Sequence, residues 1–571
     1  MSKSFTSEAR RPLVAAALRE TRKAFITVAA LSAVTNLLML TSPLFMMQVY
    51  DRVLSSRSVP TLVALSALAL GLYVFLGLLE LIRARILTRI GLQIEEKLGG
   101  PTFDAVMLLP LRMSRKETAS QPVRDLEQVR QFMSGPGPVA ICDMPWLPFY
   151  LAILFLFHSY LGWLAIAGAL ILVALTLLSE AVLRNPMQSL AKLAASRSEF
   201  LEAGRRNAEA LRAMGMRGAY SSKWQETNAR YVEEQCRTSD ATNSFSTASK
   251  IFRLALQSAV LAMGAWLAIQ QLASPGAIIA ASILTSRALS PIEQAIGQWR
   301  GFINARQARA RLHNLLEQIG KDEERMPLPA PSRSLSISNL AVIAPGTQMP
   351  ILRDISFTLA AGQGAGIIGP SGSGKSTLAR ALVGIWPSAR GTVRLDGAEI
   401  DQWDPEALGP SIGYLPQGVE LFDGTIAENI CRFDASENSA DIIEAAQMAG
   451  AHELILSMPD GYDTRIGAGG AVLSAGQRQR IGLARALYGK PFLVVLDEPN
   501  ASLDADGEVA LLNAMMAIRK CGSIVIIVAH RPNALAAVDH VLVLAQGNMV
   551  AFGPRDEVLR KTTMRAVAET A

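Results

Sequence analysis

Apolar residues are spread unevenly along this chain. Long, nearly uncharged runs crowd roughly the first three hundred positions, and short apolar runs separated by polar turns follow. A helix needs roughly twenty mostly apolar residues to cross about 30 Å of hydrocarbon. Six stretches qualify, at about 24–48, 60–82, 139–157, 161–183, 252–272 and 276–294. The connections at 50–59, 158–160 and 271–275 are short, and Arg52 and Arg57 are their only positive charges. The other two, 83–130 and 184–250, are long and rich in Arg and Lys. That asymmetry predicts that both long connections, the amino terminus and everything after Arg300 face the cytoplasm.

The leader, 1–23, is polar and basic, without the short apolar core and cleavage site of a signal peptide, so it is expected to stay cytoplasmic. At 321–333 a charge cluster followed by prolines reads as an extended linker. Past it, 334–571 alternates short strands with helices, the pattern of an α/β domain with a mainly parallel sheet. The predicted fold is therefore an all-α six-helix transmembrane domain, 24–320, followed by an α/β P-loop NTPase domain. Composition refines this picture only slightly. A length of 571 residues calls for at least two cores. The net charge of +6 is accounted for by basic cytoplasmic loops, so no nucleic-acid partner is expected. Cys142, Cys236, Cys431 and Cys521 are scattered, with no C-x-x-C pair, and point to neither disulfides nor zinc.

The chemistry concentrates in the second half. An apolar strand with Ile367 and Ile368 enters the loop Gly369, Pro370, Ser371, Gly372, Ser373 and Gly374, and Lys375, Ser376 and Thr377 open a helix. This is G-x-x-x-x-G-K-[ST] in its proper strand–helix context. Glycines let consecutive backbone N–H groups turn inward around a phosphate chain, at a helix N-terminus that already favours anions. Lys375 is placed to reach the β and γ phosphates of ATP, and the Ser376 hydroxyl to ligand Mg²⁺. A second apolar run, FLVVLDEP, ends in Asp497, positioned to hold Mg²⁺ through water, and Glu498, positioned to polarise the attacking water. Gln417, at another strand end, is expected within reach of Mg²⁺ or water, and His530 within reach of the γ phosphate. Leu473, Ser474, Ala475, Gly476 and Gln477 form a small-residue turn before a further helix, a second anion site.

In order along the chain, GPSGSGKST, Gln417, LSAGQ, VVLDEP, SLD and His530 resemble the nucleotide-binding domain of ATP-binding-cassette transporters. LSAGQ is similar to the signature motif that sets this family apart from other P-loop enzymes. The resemblance implies a homodimer in which Ser474 and Gly476 contact the γ phosphate held by the partner chain's Lys375, with Asp504 at the dimer seam. It departs at Ala475, where the family usually has Gly, and at Ala341, Val342, Ile343, Ala344, Pro345 and Gly346, where relatives usually place a Tyr that stacks on adenine. The pieces 102–109 and 208–224 are expected to be the tips of the long helices that touch the nucleotide domain.

From about residue 24 nearly the whole chain resembles the type I secretion exporters of Gram-negative bacteria, in the branch exporting proteases, lipases and haem-binding proteins. The likeness lies in QVYDRVL (48–54), in Arg124, Asp125 and Leu126, in DMPWLP (143–148), in LFDGTI (421–426) and in DEPN (497–500). It implies ATP-driven export of an unfolded polypeptide carrying a C-terminal signal, across a bacterial inner membrane, with a periplasmic membrane-fusion adaptor and an outer-membrane channel protein as partners. The short leader holds no papain-like peptidase domain, which argues against the branch that cleaves leader peptides. Two other readings stay open: an exporter of lipid or small hydrophobic molecules working without adaptors, and a membrane-anchored ATPase that carries no cargo. Glu80, Asp143 and Glu180 are candidates for a substrate path, but all three lie near predicted cytoplasmic span ends, where snorkelling or pairing would suffice. Of the five histidines, only His530 stands in a motif.

Overall fold

The computed structural model describes residues 13–112, 121–319, 328–345, 347, 349–434, 438–470, 472–529 and 532–561. The chain divides into two compact units, the first lying within Met1–Gly320 and the second mainly in Lys321–Ala571.

The first unit is helical, with six stretches long and apolar enough to cross a membrane: Arg22–Ser56, Val59–Leu111, Pro136–Phe157, Ser159–Arg206, Arg217–Ile269 and Pro275–Glu317. The first stretch is broken into α1 (Arg22–Leu38), α2 (Thr41–Gln48) and a π-helical turn, Val49–Val53. The second is α3 (Val59–Arg112), followed by α4 (Gln121–Ser134). The third comprises α5 (Pro136–Asp143) and α6 (Leu147–Phe157), and the last three are α7 (Ser159–Arg206), α8 (Arg217–Ile269) and α9 (Pro275–Ile319). With a rise of about 1.5 Å per residue, the 54 residues of α3 reach about 80 Å, far beyond the bilayer's hydrocarbon.

Tyr150, Leu154, Leu161, Val260 and Leu284 build the core where α6, α7, α8 and α9 meet. Small residues permit that approach: a methyl group at Gly168 of α7 would meet the Leu256 side chain of α8 at 2.2 Å. At 102–109 no separate turn forms: α3 runs on through Gly99, Gly100 and Pro101. A methyl group at Gly100 would meet nothing within 4 Å, so no close approach turns the chain there. At 208–224 the glycine turn does form, with Gly215 at φ 67° just before α8.

Asp143 is not on an open path. Its carboxylate accepts from Asn36 Nδ2 at 2.8 Å and lies 3.5 Å from the Arg83 guanidinium, which also donates to Ser32. The Tyr150 hydroxyl donates to the Asn36 carbonyl at 2.8 Å. All five side chains are buried, so the cluster ties α1, α3, α5 and α6 together at a depth where an unpaired charge is expensive.

The second unit is built on a ten-stranded sheet in the order β5-β4-β1-β2-β10-β9-β3-β8-β7-β6. The strands are β1 (Ser334–Ile343), β2 (Pro350–Ala360), β3 (Gly364–Ile368), β4 (Ser388–Leu395), β5 (Ala398–Glu399), β6 (Ile412–Leu415), β7 (Leu493–Asp497), β8 (Ile524–Val528), β9 (His540–Ala545) and β10 (Asn548–Pro554). The sheet is parallel only from β9 through β3, β8 and β7 to β6, apart from one β10–β2 pairing. The β1, β2, β4 and β5 strands pair antiparallel, as do β9 and β10, which adds an antiparallel flank to the parallel core that the sequence predicts. Tight turns are the cause: Asp396-Gly397 and Gln546-Gly547 both have positive φ at two successive residues, which closes two-residue hairpins. In β7, Leu493 and Val495 pack into one layer and Val494 and Leu496 into the other, so a continuous apolar run serves both faces.

Breaking one partner of a buried ion pair costs about 3–5 kcal/mol, whereas replacing both by apolar groups is often nearly neutral. Asp143→Leu is therefore expected to lower the denaturation midpoint of the detergent-solubilised protein sharply, and Arg83→Met in the same chain to restore most of it. Equal losses from the single and double variants would mean the pair does not hold these helices.

Candidate nucleotide site

The phosphate loop follows β3 and leads into α10 (Lys375–Leu382). Its shape requires glycine. Gly369 has φ 154°, and a methyl group there would lie 2.0 Å from the Leu544 carbonyl oxygen of β9, while Gly374 caps α10 at φ 98°. The buried Lys375 donates from Nζ to the Gly369 and Pro370 carbonyls, both at 2.9 Å, so its charge is folded back over the loop. The buried Ser373 hydroxyl has no hydrogen-bond partner among the described residues.

Asp497 ends β7 beside α10. The Ser376 hydroxyl donates to its Oδ1 at 3.2 Å, and its Oδ2 is buried without a partner among the described residues. Burial pushes the carboxyl above the usual Asp range, opposed by the Ser376 hydrogen bond and reinforced by the neighbouring Glu498 charge. A hydroxyl beside a carboxylate with one orphaned oxygen fits a hard cation such as Mg²⁺. Among the described residues no cluster of three or more His, Cys, Asp or Glu side chains could hold an ion alone. That suits a cation completed by nucleotide phosphates and water rather than caged by protein.

Glu498 adopts φ 52°, a left-handed conformation that is costly for a side chain with a Cβ and typical of sites where geometry outweighs comfort. Its N–H donates to the Val528 carbonyl of β8 at 3.1 Å, and its Oε2 accepts from Gln417 Nε2 at 3.0 Å. Gln417 and Glu498 are thus brought together, as are Lys375, Ser376 and Asp497. His530 lies outside the described residues. Each of the other four histidines has a ring or polar neighbour: Tyr160 for His158, Glu317 for His313, Tyr462 for His452 and Phe552 for His540.

Ser474 caps α11 (Ala475–Leu487) through a reciprocal capping box. Its hydroxyl accepts from Gln477 N at 3.3 Å, and Gln477 Oε1 accepts from Ser474 N at 2.8 Å. Leu473 is buried, while Ser474 and Ala475 are exposed, which leaves the helix start facing outward. Gly476 runs close to the Ser502 carbonyl, which a methyl group would approach to 2.9 Å. Asp504 caps α12 (Ala505–Lys520) by accepting from Gly507 N, and it pairs with Arg480 of α11 at 2.5 Å. The Gly507 N–H first, and then Arg480, hold its carboxyl below the usual range.

Two functional ties were missed in the sequence. Gln479 is buried in α11; its Nε2 donates to the Pro499 carbonyl and its Oε1 accepts from Ser502 N at 3.0 Å, which fastens the signature helix to the strand end carrying Glu498. It shares the buried stripe of α11 with Gly482, Leu483 and Ala486, and a polar residue on such a stripe was the available signal. At the other end, Arg432 donates to the carbonyls of Arg485, Ala486 and Tyr488, covering the last turn of α11.

Comparison with known proteins agrees with this geometry. The family model "ABC transporter" matches residues 352–501, and "ABC transporter transmembrane region" matches residues 25–290. The type I secretion system ATP-binding protein PrsD of Rhizobium meliloti is 52% identical, covering 99% of each chain. The cyclolysin secretion/processing ATP-binding protein CyaB of Bordetella pertussis is 28% identical over 93% of this chain and 75% of its own length. A solved bacterial Atm1-family ABC exporter with ATP bound has the same fold, with a TM-score of 0.80 at 22% identity over 96% of this chain and 98% of its own. The chain belongs to the ATP-binding-cassette transporters, within the group of type I secretion ATP-binding proteins, and is a multi-pass membrane protein that couples ATP hydrolysis to export.

Proposed function

We propose that this chain is the ATPase and permease of a type I secretion system, moving an unfolded polypeptide with a C-terminal signal out of the cytoplasm. It works as a homodimer in the bacterial inner membrane, with amino terminus and ATPase domain cytoplasmic, beside a periplasmic membrane-fusion adaptor and an outer-membrane channel protein. The domains run 1–23, 24–320, a linker at 321–333, and 334–571. Relatives named for secreting cyclolysin and for translocating exotoxin and leukotoxin support a polypeptide cargo over a lipid or small hydrophobic one.

In the site, residues Gly369 through Thr377 wrap the phosphates of ATP, with Lys375 released from its loop carbonyls to meet them. Ser376, Asp497 and Gln417 serve Mg²⁺, which when bound neutralises charge on the phosphates. Glu498 and Gln417 orient the water that attacks, and His530 reaches the γ phosphate. The observation that carries the two-chain reading is the outward-facing start of α11. Ser474 and Gln477 satisfy each other there, and none of their hydrogen bonds among the described residues reaches the phosphate loop of the same chain. Leu473 through Gln477 therefore complete the partner's site, with Asp504 at the seam.

Glu498→Gln is expected to retain ATP binding while losing nearly all turnover, read as phosphate release beside nucleotide retained on the purified protein; wild-type hydrolysis in that variant would sink the assignment. The shared site has its own test, since Lys375→Ala and Ser474→Arg chains are each inactive alone. Co-assembled at random, half the dimers are mixed, and each mixed dimer concentrates both defects in one site and leaves the other intact, giving up to about a quarter of wild-type hydrolysis. No recovery on mixing would argue for sites built within single chains.

A further inference from the structure

The first unit holds a cavity of about 690 Å³ bounded by α4, α7, α8 and α9, a volume within the range of ligand pockets. Its walls differ in chemistry. Along α9, Arg300, Asn304, Gln307 and Arg311 recur at i, i+4, i+7 and i+11, so one helical stripe lines the cavity with polar and cationic groups. Arg124 of α4 and Lys192 of α7 add two further positive charges. The rest of the α7 wall is mostly apolar, with Met187, Leu190, Ala194 and Ala195 beside Ser198. Tyr231 of α8 lines the cavity with its ring held under Arg197, 4.1 Å from guanidinium carbon to ring centre.

Charge balance singles this cavity out. The only acid among its lining residues is Asp125, buried and already committed: Arg311 donates to both of its oxygens, at 2.9 and 2.6 Å, and Gln121 donates at 3.0 Å. Arg311 is thereby neutralised. Arg124, Lys192 and Arg300 are exposed to the cavity and have no carboxylate partner among the described residues. A single phosphate would call for donors converging on one point, whereas the free cations come from three different helices, and Arg300, Asn304 and Gln307 extend along about 10 Å of α9, at a rise of about 1.5 Å per residue. Negative charges spaced along an extended chain match that distribution, at about 3.3 Å per residue for roughly three residues.

We propose that this cavity binds an extended acidic segment of polypeptide, its carboxylates toward Arg300, Lys192 and Arg124 and its apolar side chains toward the α7 wall. The site deepens, and rests on, the reading of the chain as a polypeptide exporter. Charge-assisted hydrogen bonds to carboxylates supply the attraction, and the mostly apolar wall supplies room for side chains of either rotamer. Partly solvated charges make the binding salt-dependent.

The test uses the full-length protein in discs of zwitterionic lipid and the anisotropy of a fluorescein-labelled hexapeptide alternating Asp and Val. Expected are saturable binding at low salt and affinity weaker by about tenfold for an Asn/Val counterpart. Arg300→Glu is expected to weaken the acidic peptide similarly and to strengthen a Lys/Val peptide, while Arg300→Lys stays close to wild type and basal ATP hydrolysis is unchanged. Equal binding of the acidic and Asn peptides to the wild-type protein overturns the proposal without any variant needing to fold. Insensitivity to Arg300→Glu also overturns it, as does displacement of the acidic peptide by anionic phospholipid at lower concentration than by unlabelled peptide, which would make the cavity a lipid site. A chain that moves polypeptide in reconstituted membranes yet fails these measurements loses only the cavity assignment. One that binds acidic peptide as expected but moves none loses only the export reading.

Discussion

The nucleotide site depends on the in-register pairing of three parallel strands. Ile367 of β3 sits opposite Val528 of β8, and Val528 sits opposite Asp497 of β7. At the sheet edge, Leu415 of β6 pairs with Leu496. The phosphate loop, the Asp497–Glu498 turn and Gln417 therefore leave the sheet from one row. A slip of one residue would turn Asp497 to the opposite face and leave Ser376 without its carboxylate, because side chains alternate along a strand. The slip is blocked by burial on both faces, since every residue of β7 and β8 is packed.

Around that row the second unit holds its signature helix by polar ties rather than by apolar packing alone. Gln479 joins α11 to the backbone just past Glu498, and Arg432 covers the carbonyls at its far end while also donating to the carbonyls of Gly409, ahead of β6, and Ile412, at its start. Arg432 meets only carbonyl acceptors in these bonds, and burial holds its pKa below the ordinary Arg value. Removing such a group would strand several carbonyls at once, so it behaves as a rigid joint between the helix end and the sheet edge. The Gln479 bonds fasten the same helix to the strand end that carries Glu498.

What could be read from the sequence followed from how local each signal was. The spans were legible because an apolar run of about twenty residues has few alternatives, and the phosphate loop because its glycines, Lys375 and Ser376 are consecutive. The sheet's antiparallel half was less so. It hinges on dipeptides such as Asp396-Gly397 and Gln546-Gly547, whose positive φ shows only in the fold. Gln479 and Arg432 were not read at all, since their partners are backbone carbonyls and amides tens of residues away and leave no pattern in composition. Asp143 was noticed for its charge, with pairing and a substrate path both left open. Asn36, Ser32 and Tyr150, which make its burial tolerable, look like ordinary span residues until the helices are packed.

The same reasoning divides the charges of the first unit into two kinds. Arg83 and Asp143 are buried and answered by neighbours, and Asp125 is likewise answered by Arg311, so their energy is invested in joining helices. Arg124, Lys192 and Arg300 line a cavity and are answered by no carboxylate among the described residues. Like charges gathered in one concavity repel one another and would weaken the folded helices, unless an anionic occupant relieves them for part of the cycle. Architecture explains the first group. The second group joins nothing in the fold and stays available to an anionic occupant of the cavity.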